Sequence, residues 1–372
     1  MRHLGLAGLV AGMALSLAAC GGGAAPAASN APAAASTAAK PASAAPASAS
    51  AKPAASSAAK PAASPSTAAK PSAGGDTIRA GTLAPDAFEW TDYVADKEGF
   101  NKGQNLNIKE TKLGTPATAA QALVGGSIDV ASASADAYIT AIEAGADIVL
   151  VGQKIGNPSF AVITQPDIKS WAQLKGGTIA VSGPTDGAAN VFRLMARQHG
   201  MEAQKDYSFV PVGTTPARYA ALKTKQVKGA IMTEALTIQA VSDGFTLIER
   251  SNLPHYTFIV EAVSRTWAQS HRALLVRYLK AQSQAADWLY NTANKQAAAD
   301  LLASTVKISN AVATKTYEDY IEKGQGQIVT KGAKIDLEGL KNMGDVIQSL
   351  GLIKTVDVNK WADNSYADAA GK

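Results

Sequence analysis

The chain has 372 residues, one Cys, and 35 Lys and Arg against 30 Asp and Glu, a formal charge of +5. That balance invites a nucleic-acid partner, but Arg2, Lys40, Lys52, Lys60 and Lys70 all stand in the first 75 residues, which hold no acid. The remainder is neutral and lacks the clustered cationic face such a role needs, which excludes nucleic acid, and a lone Cys leaves no intramolecular disulfide.

Residues 1–20 carry Arg2, an apolar run and then Leu17-Ala18-Ala19-Cys20, the form of a secretory signal. The run is short for a membrane span, and small residues before a Cys match a lipobox, so Cys20 is expected to be lipidated and to become residue one. Residues 21–75 are nearly all Ala, Pro, Ser and Lys, with Ala-Lys-Pro recurring at Lys40, Lys52, Lys60 and Lys70. Without large apolar residues to offset chain entropy, this stretch is predicted to be a disordered linker. It would reach roughly 40 Å as a coil and on the order of 170 Å extended.

Residues 76–372 are enough for two lobes of ordinary size. Strands are predicted over 77–83 and 106–110, with a loop over 84–90 and a helix through Tyr93, Val94 and Phe100 between them. Residues 113–134 (LGTPATAAQALVGGSIDVASAS) then share one plan with 212–233 (VGTTPARYAALKTKQVKGAIMT): a Gly-Thr entry, Thr-Pro-Ala, an Ala- and Leu-rich helix, a turn, and a strand ending in hydroxyls. Thr115-Pro116 matches Thr215-Pro216 as N-cap and first helical residue, and Leu123 and Ile128 match Leu222 and Val227. The likeness is either that of any two βαβ units or an internal pseudo-symmetry. Further elements follow at 139–144 (helix), 148–152, 160–164 and 178–182 (strands), and a helix from Phe192 to Gly200. The class is α/β. Beyond 257–260 the pattern turns helical, with Ser270, Asn294, Ser309 and Asp336 as expected N-caps and the helices packed around the outside of the first lobe.

Catalytic motifs are weak. His3, His199, His255 and His271 have no metal-ligand spacing, and Ser304-Thr305-Val306-Lys307 matches Ser-x-x-Lys no better than Ser57-Ala58-Ala59-Lys60 in the linker. No catalytic residue, metal or cofactor is expected.

The order of three segments carries a resemblance: Tyr93-Val94-Ala95-Asp96-Lys97-Glu98-Gly99-Phe100, then Ala122-Leu123-Val124-Gly125-Gly126-Ser127-Ile128-Asp129-Val130, then Leu174-Lys175-Gly176. The chain resembles extracytoplasmic solute-binding proteins of ABC importers. More narrowly it is similar to the group that binds nitrate, sulfonates, taurine or pyrimidine precursors of thiamine. It departs from that group's patterns at Gln173-Leu174-Lys175-Gly176-Gly177 and at Lys225-Gln226-Val227-Lys228-Gly229-Ala230. The resemblance implies a two-lobed periplasmic-binding-protein-like fold of type II preceded by the linker. Lobe 1 is expected over 76–163 and 260–372 and lobe 2 over 164–259, with crossover strands near 160–164 and 257–260.

On that reading a monomer held to the membrane by Cys20 closes a cleft over a small organic solute and delivers it to an ABC permease. The alternatives are a ligand-sensing receptor subunit and an exported enzyme on the same fold. Residues after strands or at helix starts are expected to line the cleft: Asp86, Phe88, Glu89 and Trp90; Gly114 and Thr115; Ser132, Ser134 and Asp136; Ser182, Thr185, Asp186 and Gly187; Gly213 and Thr214; Thr233 and Glu234. The solute's charge is pulled two ways. Helix N-termini favour an anion, but five acids stand in these loops, and Arg218, the one nearby base, is read as pointing to solvent. Phe88 and Trp90 add a stacking surface, which favours a neutral or amine-bearing solute such as a pyrimidine.

Overall fold

A computed structural model of the protein describes residues 75–253, 255–323 and 328–372. Residues 1–74, with the expected signal, linker and Cys20, lie outside the described residues. The alternating pattern resolves in chain order as β1 (Asp76–Thr82), α1 (Trp90–Lys97), α2 (Phe100–Gly103), β2 (Leu106–Lys112), α3 (Pro116–Val124), β3 (Val130–Ser134), α4 (Ala135–Glu143) and β4 (Ile148–Gly156). Then come β5 (Phe160–Thr164), α5 (Trp171–Leu174), β6 (Gly177–Val181), α6 (Gly187–Gln198), β7 (Tyr207–Pro211), α7 (Thr215–Lys223), β8 (Gly229–Thr233), α8 (Glu234–Ser242), β9 (Thr246–Arg250) and β10 (Thr257–Ser264). The last third is helical: α9 (Arg265–Ser270), α10 (Arg272–Tyr290), α11 (Lys295–Val306), α12 (Asn310–Tyr317), α13 (Leu337–Ser349), α14 (Val358–Trp361) and α15 (Ser365–Ala370). Among the described residues no helix is long and apolar enough to cross a membrane.

The strands form two five-stranded sheets of one design, ordered β2-β1-β3-β10-β4 and β7-β6-β8-β5-β9. In each, four strands point the same way, and the fourth position is taken antiparallel by the strand that has just crossed from the other lobe. The repeat seen in the sequence therefore occupies equivalent places: Ser134 ends β3 opposite Ile259, and Thr233 ends β8 opposite Phe160. Strands β3, β4, β5 and β8 are buried along their whole length, as expected for sheets covered by helices on both faces. Each large apolar side chain so enclosed contributes about 1.5–3 kcal/mol.

Both expected lobe boundaries fall inside a strand. Phe160–Thr164 pairs with β8 and β9 and belongs wholly to the second sheet, and Thr257–Ser264 pairs with β3 and β4 and belongs wholly to the first. The links run through the short segment 157–159 and through residues 251–253 and 255–256. They are tied side by side: Asn157 N donates to Tyr256 O (2.8 Å), Tyr256 N to Asn157 Oδ1 (2.9 Å) and Ser251 Oγ to Pro158 O (2.9 Å). A hydrophobic run reads the same whichever sheet it joins, so only pairing could locate the hinge.

Three local expectations change. Gly99, at φ +76°, divides the helix through Tyr93 and Phe100 into α1 and α2; only glycine takes that turn without steric cost. Ser309 and Asp336 do cap α12 and α13, and Asn294 stands at the start of α11 without a side-chain cap bond. Ser270 instead closes α9, and the cap that opens α9 is Ser264. The C-terminal helices also do not stay on the first lobe: α12 packs on α8 of the second, and Tyr320 beyond it stacks on Phe88 at 6.3 Å.

Candidate functional site

In both lobes the loops after the parallel strands meet across one cavity of about 60 Å³. Lobe 1 contributes Leu83, Ala84, Asp86, Phe88 and Glu89 after β1, Gly114 and Pro116 after β2, Ser134 at the end of β3, and Phe258 and Ile259 of β10. Lobe 2 contributes Phe160, Ser182, the start of α6 at Asp186, Gly187 and Ala188, the entry to α7 at Gly213, Thr214, Thr215 and Arg218, and Thr233. Crevices outside the carboxyl ends of parallel strands are where α/β sheets hold ligands, because helix N-termini bring unpaired N–H groups there. One wall is apolar: Phe88, Phe160 and Phe258 meet edge to face with centroids 5.1–6.0 Å apart.

Arg218 is the cation of this cavity. Thr115 caps α3 through Thr118 N, but its counterpart Thr215 has slipped one place and is the first residue of α7. One turn on, Arg218 therefore lies on the same face, and its Nη2 donates to Thr215 Oγ1 at 2.6 Å. Instead of reaching solvent, the guanidinium is 4% exposed, and Nε and Nη1 have no partner among the described residues. Burial lowers its pKa to about 10, with Asp186 and Asp86 pulling it back up, so it remains charged at neutral pH. Asp86 and Asp186 are themselves raised by burial. Asp186 caps α6 through Ala189 N at 3.3 Å, and its Oδ2 makes no bond of ordinary geometry, although the Ser182 hydroxyl helps hold its charge. The site thus offers two unspent donors and an unspent acceptor beside an aromatic wall.

Among the described residues, two side-chain bonds bridge the lobes. Thr233 Oγ1 donates to Asp86 Oδ2 at 3.0 Å, and Asn190 Nδ2 on α6 donates to Asp136 Oδ2 on α4 at 2.8 Å. Burial drives Asp136 up to about 7, helped by the charge of Asp186. Behind the cavity, Glu89 belongs to a buried cluster. Lys154 Nζ donates to Glu89 Oε2 (2.8 Å), lies 3.2 Å from Glu261 Oε1 and pairs with Asp92. Burial pushes Glu89 to about 8 and raises Glu261, so at neutral pH the cluster of one lysine and three carboxylates holds a proton. Burial opposes the Lys154 charge, but Asp92, Glu261 and Glu89 outweigh it and hold its pKa well above the ordinary value.

Of the residues expected to line the cleft, Asp86, Phe88, Glu89, Gly114, Ser134, Ser182, Asp186, Gly187, Gly213, Thr214 and Thr233 do so. The others are placed elsewhere. Trp90 is fully buried against Tyr317, because as the first residue of α1 it faces the core. Thr115 is used as a cap, and Ser132 donates to Glu89 within the lysine cluster. Asp136 bridges the lobes without lining the cavity. Thr185 is exposed. Glu234 is buried in a pair with Arg250 and accepts from Ser159 Oγ at 3.0 Å, so its charge belongs to the hinge. Phe160, Phe258 and Ile259 were missed, since an aromatic or aliphatic residue in a strand reads as core. Thr215 and Arg218 carried a signal in their i, i+3 spacing, which sets both on one helical face.

Two α/β lobes hinged by two short links over a cleft define a periplasmic-binding-protein-like fold of type II. The alkanesulfonate-binding protein SsuA of Xanthomonas axonopodis pv. citri bound to MOPS superposes with a TM-score of 0.65 at 18% identity, over 79% of this chain and 100% of that one. The periplasmic nitrate-binding protein NrtA of Synechocystis PCC 6803 gives 0.65 at 16%, over 79% and 88%. The aliphatic sulphonate-binding protein SsuA of Escherichia coli gives 0.60 at 20%, over 80% and 99%. The family model described as NMT1/THI5 like matches residues 90–296, more than half of the chain, and the protein belongs to that family. No curated protein matches it.

Proposed function

We propose that the protein is an extracytoplasmic solute-binding lipoprotein of an ABC importer, anchored through Cys20, which closes its lobes over a small organic solute and presents it to a membrane permease. The observation that carries this reading is Arg218: a buried guanidinium with two unspent donors, set between Asp86 and Asp186 in a cleft bridged by bonds from both lobes. A charge left so is costly until a solute's acceptors meet it. Closure is then favoured only to the extent that the solute binds the closed form better. Periplasmic binding proteins as a class are a standing example of hinge closure around a ligand.

The solute has both acceptors, for Arg218, and donors, for Asp186 and Asp86, with a flat or apolar part against Phe88, Phe160 and Phe258. That describes a donor–acceptor heterocycle such as a pyrimidine better than a bare anion, which would meet two carboxylates beside the one cation. Binding without chemistry is the function, and the expected linker holds the domain near its permease by raising effective concentration.

Thermal-shift screening of the full chain against pyrimidines, amines, carboxylates and sulfonates tests the reading, with Arg218→Ala as control. Stabilisation by heterocycles that Arg218→Ala abolishes supports it. Stabilisation by sulfonates alone overturns the solute class, and stabilisation undiminished in Arg218→Ala overturns the site. Cys20→Ser should move the protein to the soluble fraction, and continued membrane retention would refute the anchor.

A further inference from the structure

Lobe 1 holds a second cavity, of about 380 Å³, that shares no lining residue with the interlobe cleft. Strands β1 and β2 form its floor, and α1, α2, α10 and α11 its walls. None of the chemistry of the cleft requires a space there.

Its polar groups are unbalanced in one direction. Gln282 is 4% exposed and Asn101 7%, and each has a side-chain carbonyl oxygen with no partner among the described residues. The Gln282 amide is oriented by its own bond: Nε2 donates to Asp92 Oδ1 at 2.8 Å, which leaves Oε1 as the unspent end. Carboxylates of Asp92, Asp96 and Glu110 also line the space, against a single lysine, Lys97. Lys154 and Lys112 pair with Asp92 and Glu110, and Asp96 has no ion pair among the described residues. Ile108 and Leu301 supply apolar lining.

A molecule that fits must therefore donate hydrogen bonds at one end and be aliphatic at the other. An anion would find Lys97 as the one lining cation, since Lys112 beside the cavity is already spent on Glu110 and Thr82, and a purely apolar molecule would leave two buried carbonyls unsatisfied. We propose that this cavity is a second ligand site, for a small aliphatic amine, with the ammonium held by Asn101, Gln282 and the neighbouring carboxylates and the chain lying on Ile108 and Leu301.

The test is isothermal titration of the full chain with butylamine and 1,4-diaminobutane, with butanol and butyrate as neutral and anionic counterparts. An amine should bind with Kd at or below about 1 mM, at least about tenfold more tightly than butanol or butyrate. Gln282→Leu, which removes the acceptor, and Leu301→Trp, which fills the space, should each weaken it by about tenfold or more, while Arg218→Ala in the cleft leaves it unchanged. Thermal melts establish that each variant folds. If Gln282→Leu does not, Leu301→Trp decides alone. Failure of either amine to bind at about 10 mM, binding equal to that of butanol, or binding retained in Leu301→Trp but lost in Arg218→Ala would each overturn the proposal.

Discussion

The side-chain amide of Asn190, on the second lobe, donates to the carboxylate of Asp136, on the first, across 2.8 Å. Together with the bond from Thr233 to Asp86 it ties the two α/β lobes across the cleft, in addition to the hinge and the packing of α12 on α8. Each bond contributes about 1 kcal/mol to the closed form, which is about a fivefold change in the closed-to-open ratio. Asn190→Leu combined with Thr233→Val should open the ligand-free protein without altering its fold. Small-angle scattering would register a larger radius of gyration at unchanged circular dichroism, and an unchanged radius would refute the bridging role.

Gly187 offers a sharper way to hold the lobes apart. A Cβ there would lie 2.5 Å from Phe258 Cε2 and 3.2 Å from Ser134 Cβ, both on the opposite lobe. Phe258 cannot easily yield, since it packs on Phe88 and Phe160. Overpacking of this kind typically costs about 1–3 kcal/mol, but here opening relieves it. Gly187→Ala should therefore weaken solute binding by about tenfold or more while the melting temperature of the ligand-free protein stays near wild type. A large drop in that temperature would show that the clash is met within one lobe.

Lys154 neutralises the buried carboxylates of Glu89 and Glu261 and the partly exposed one of Asp92. Lys154→Met leaves Glu89 and Glu261 buried without their cation, a loss of about 3–5 kcal/mol. Urea unfolding should show it as a lower midpoint at unchanged slope. A midpoint within error of wild type would mean that protonation alone satisfies the cluster.

Stability should fall as pH rises from about 4 to about 7. Asp136 is raised from its ordinary value of 3.8 to about 7 when folded, so across that window the native state holds a proton that the unfolded chain has lost. Its contribution is fully present below the unfolded pKa and is gone above about 7. Glu89 and Glu261 are displaced in the same direction and add to the slope. Asp136→Asn, which keeps an acceptor for Asn190, should make the decline of melting temperature with pH shallower without abolishing it. An unaltered profile would place the titration elsewhere.

Much of the fold is legible in the chain itself. Strand and helix alternation, the matched stretches at 113–134 and 212–233, and the cleft loops after strands all follow from local chemistry: Thr and Asp caps, glycine turns and apolar periodicity act within a few residues. What tertiary structure decided was direction and pairing. Thr215 and Arg218 belong to a stretch that resembles Thr115 and its neighbours, but a one-residue slip in the helix start turned Arg218 from solvent into the cleft. Glu234 follows Thr233 as the first residue of α8, and Ser132 stands two places before Ser134 inside β3, yet Thr233 and Ser134 meet the cavity while Glu234 is drawn into a buried pair with Arg250 and Ser132 into the lysine cluster. Which sheet Phe160–Thr164 and Thr257–Ser264 join depends on partners about 70 and about 100–135 residues away, and no local signal carries that information.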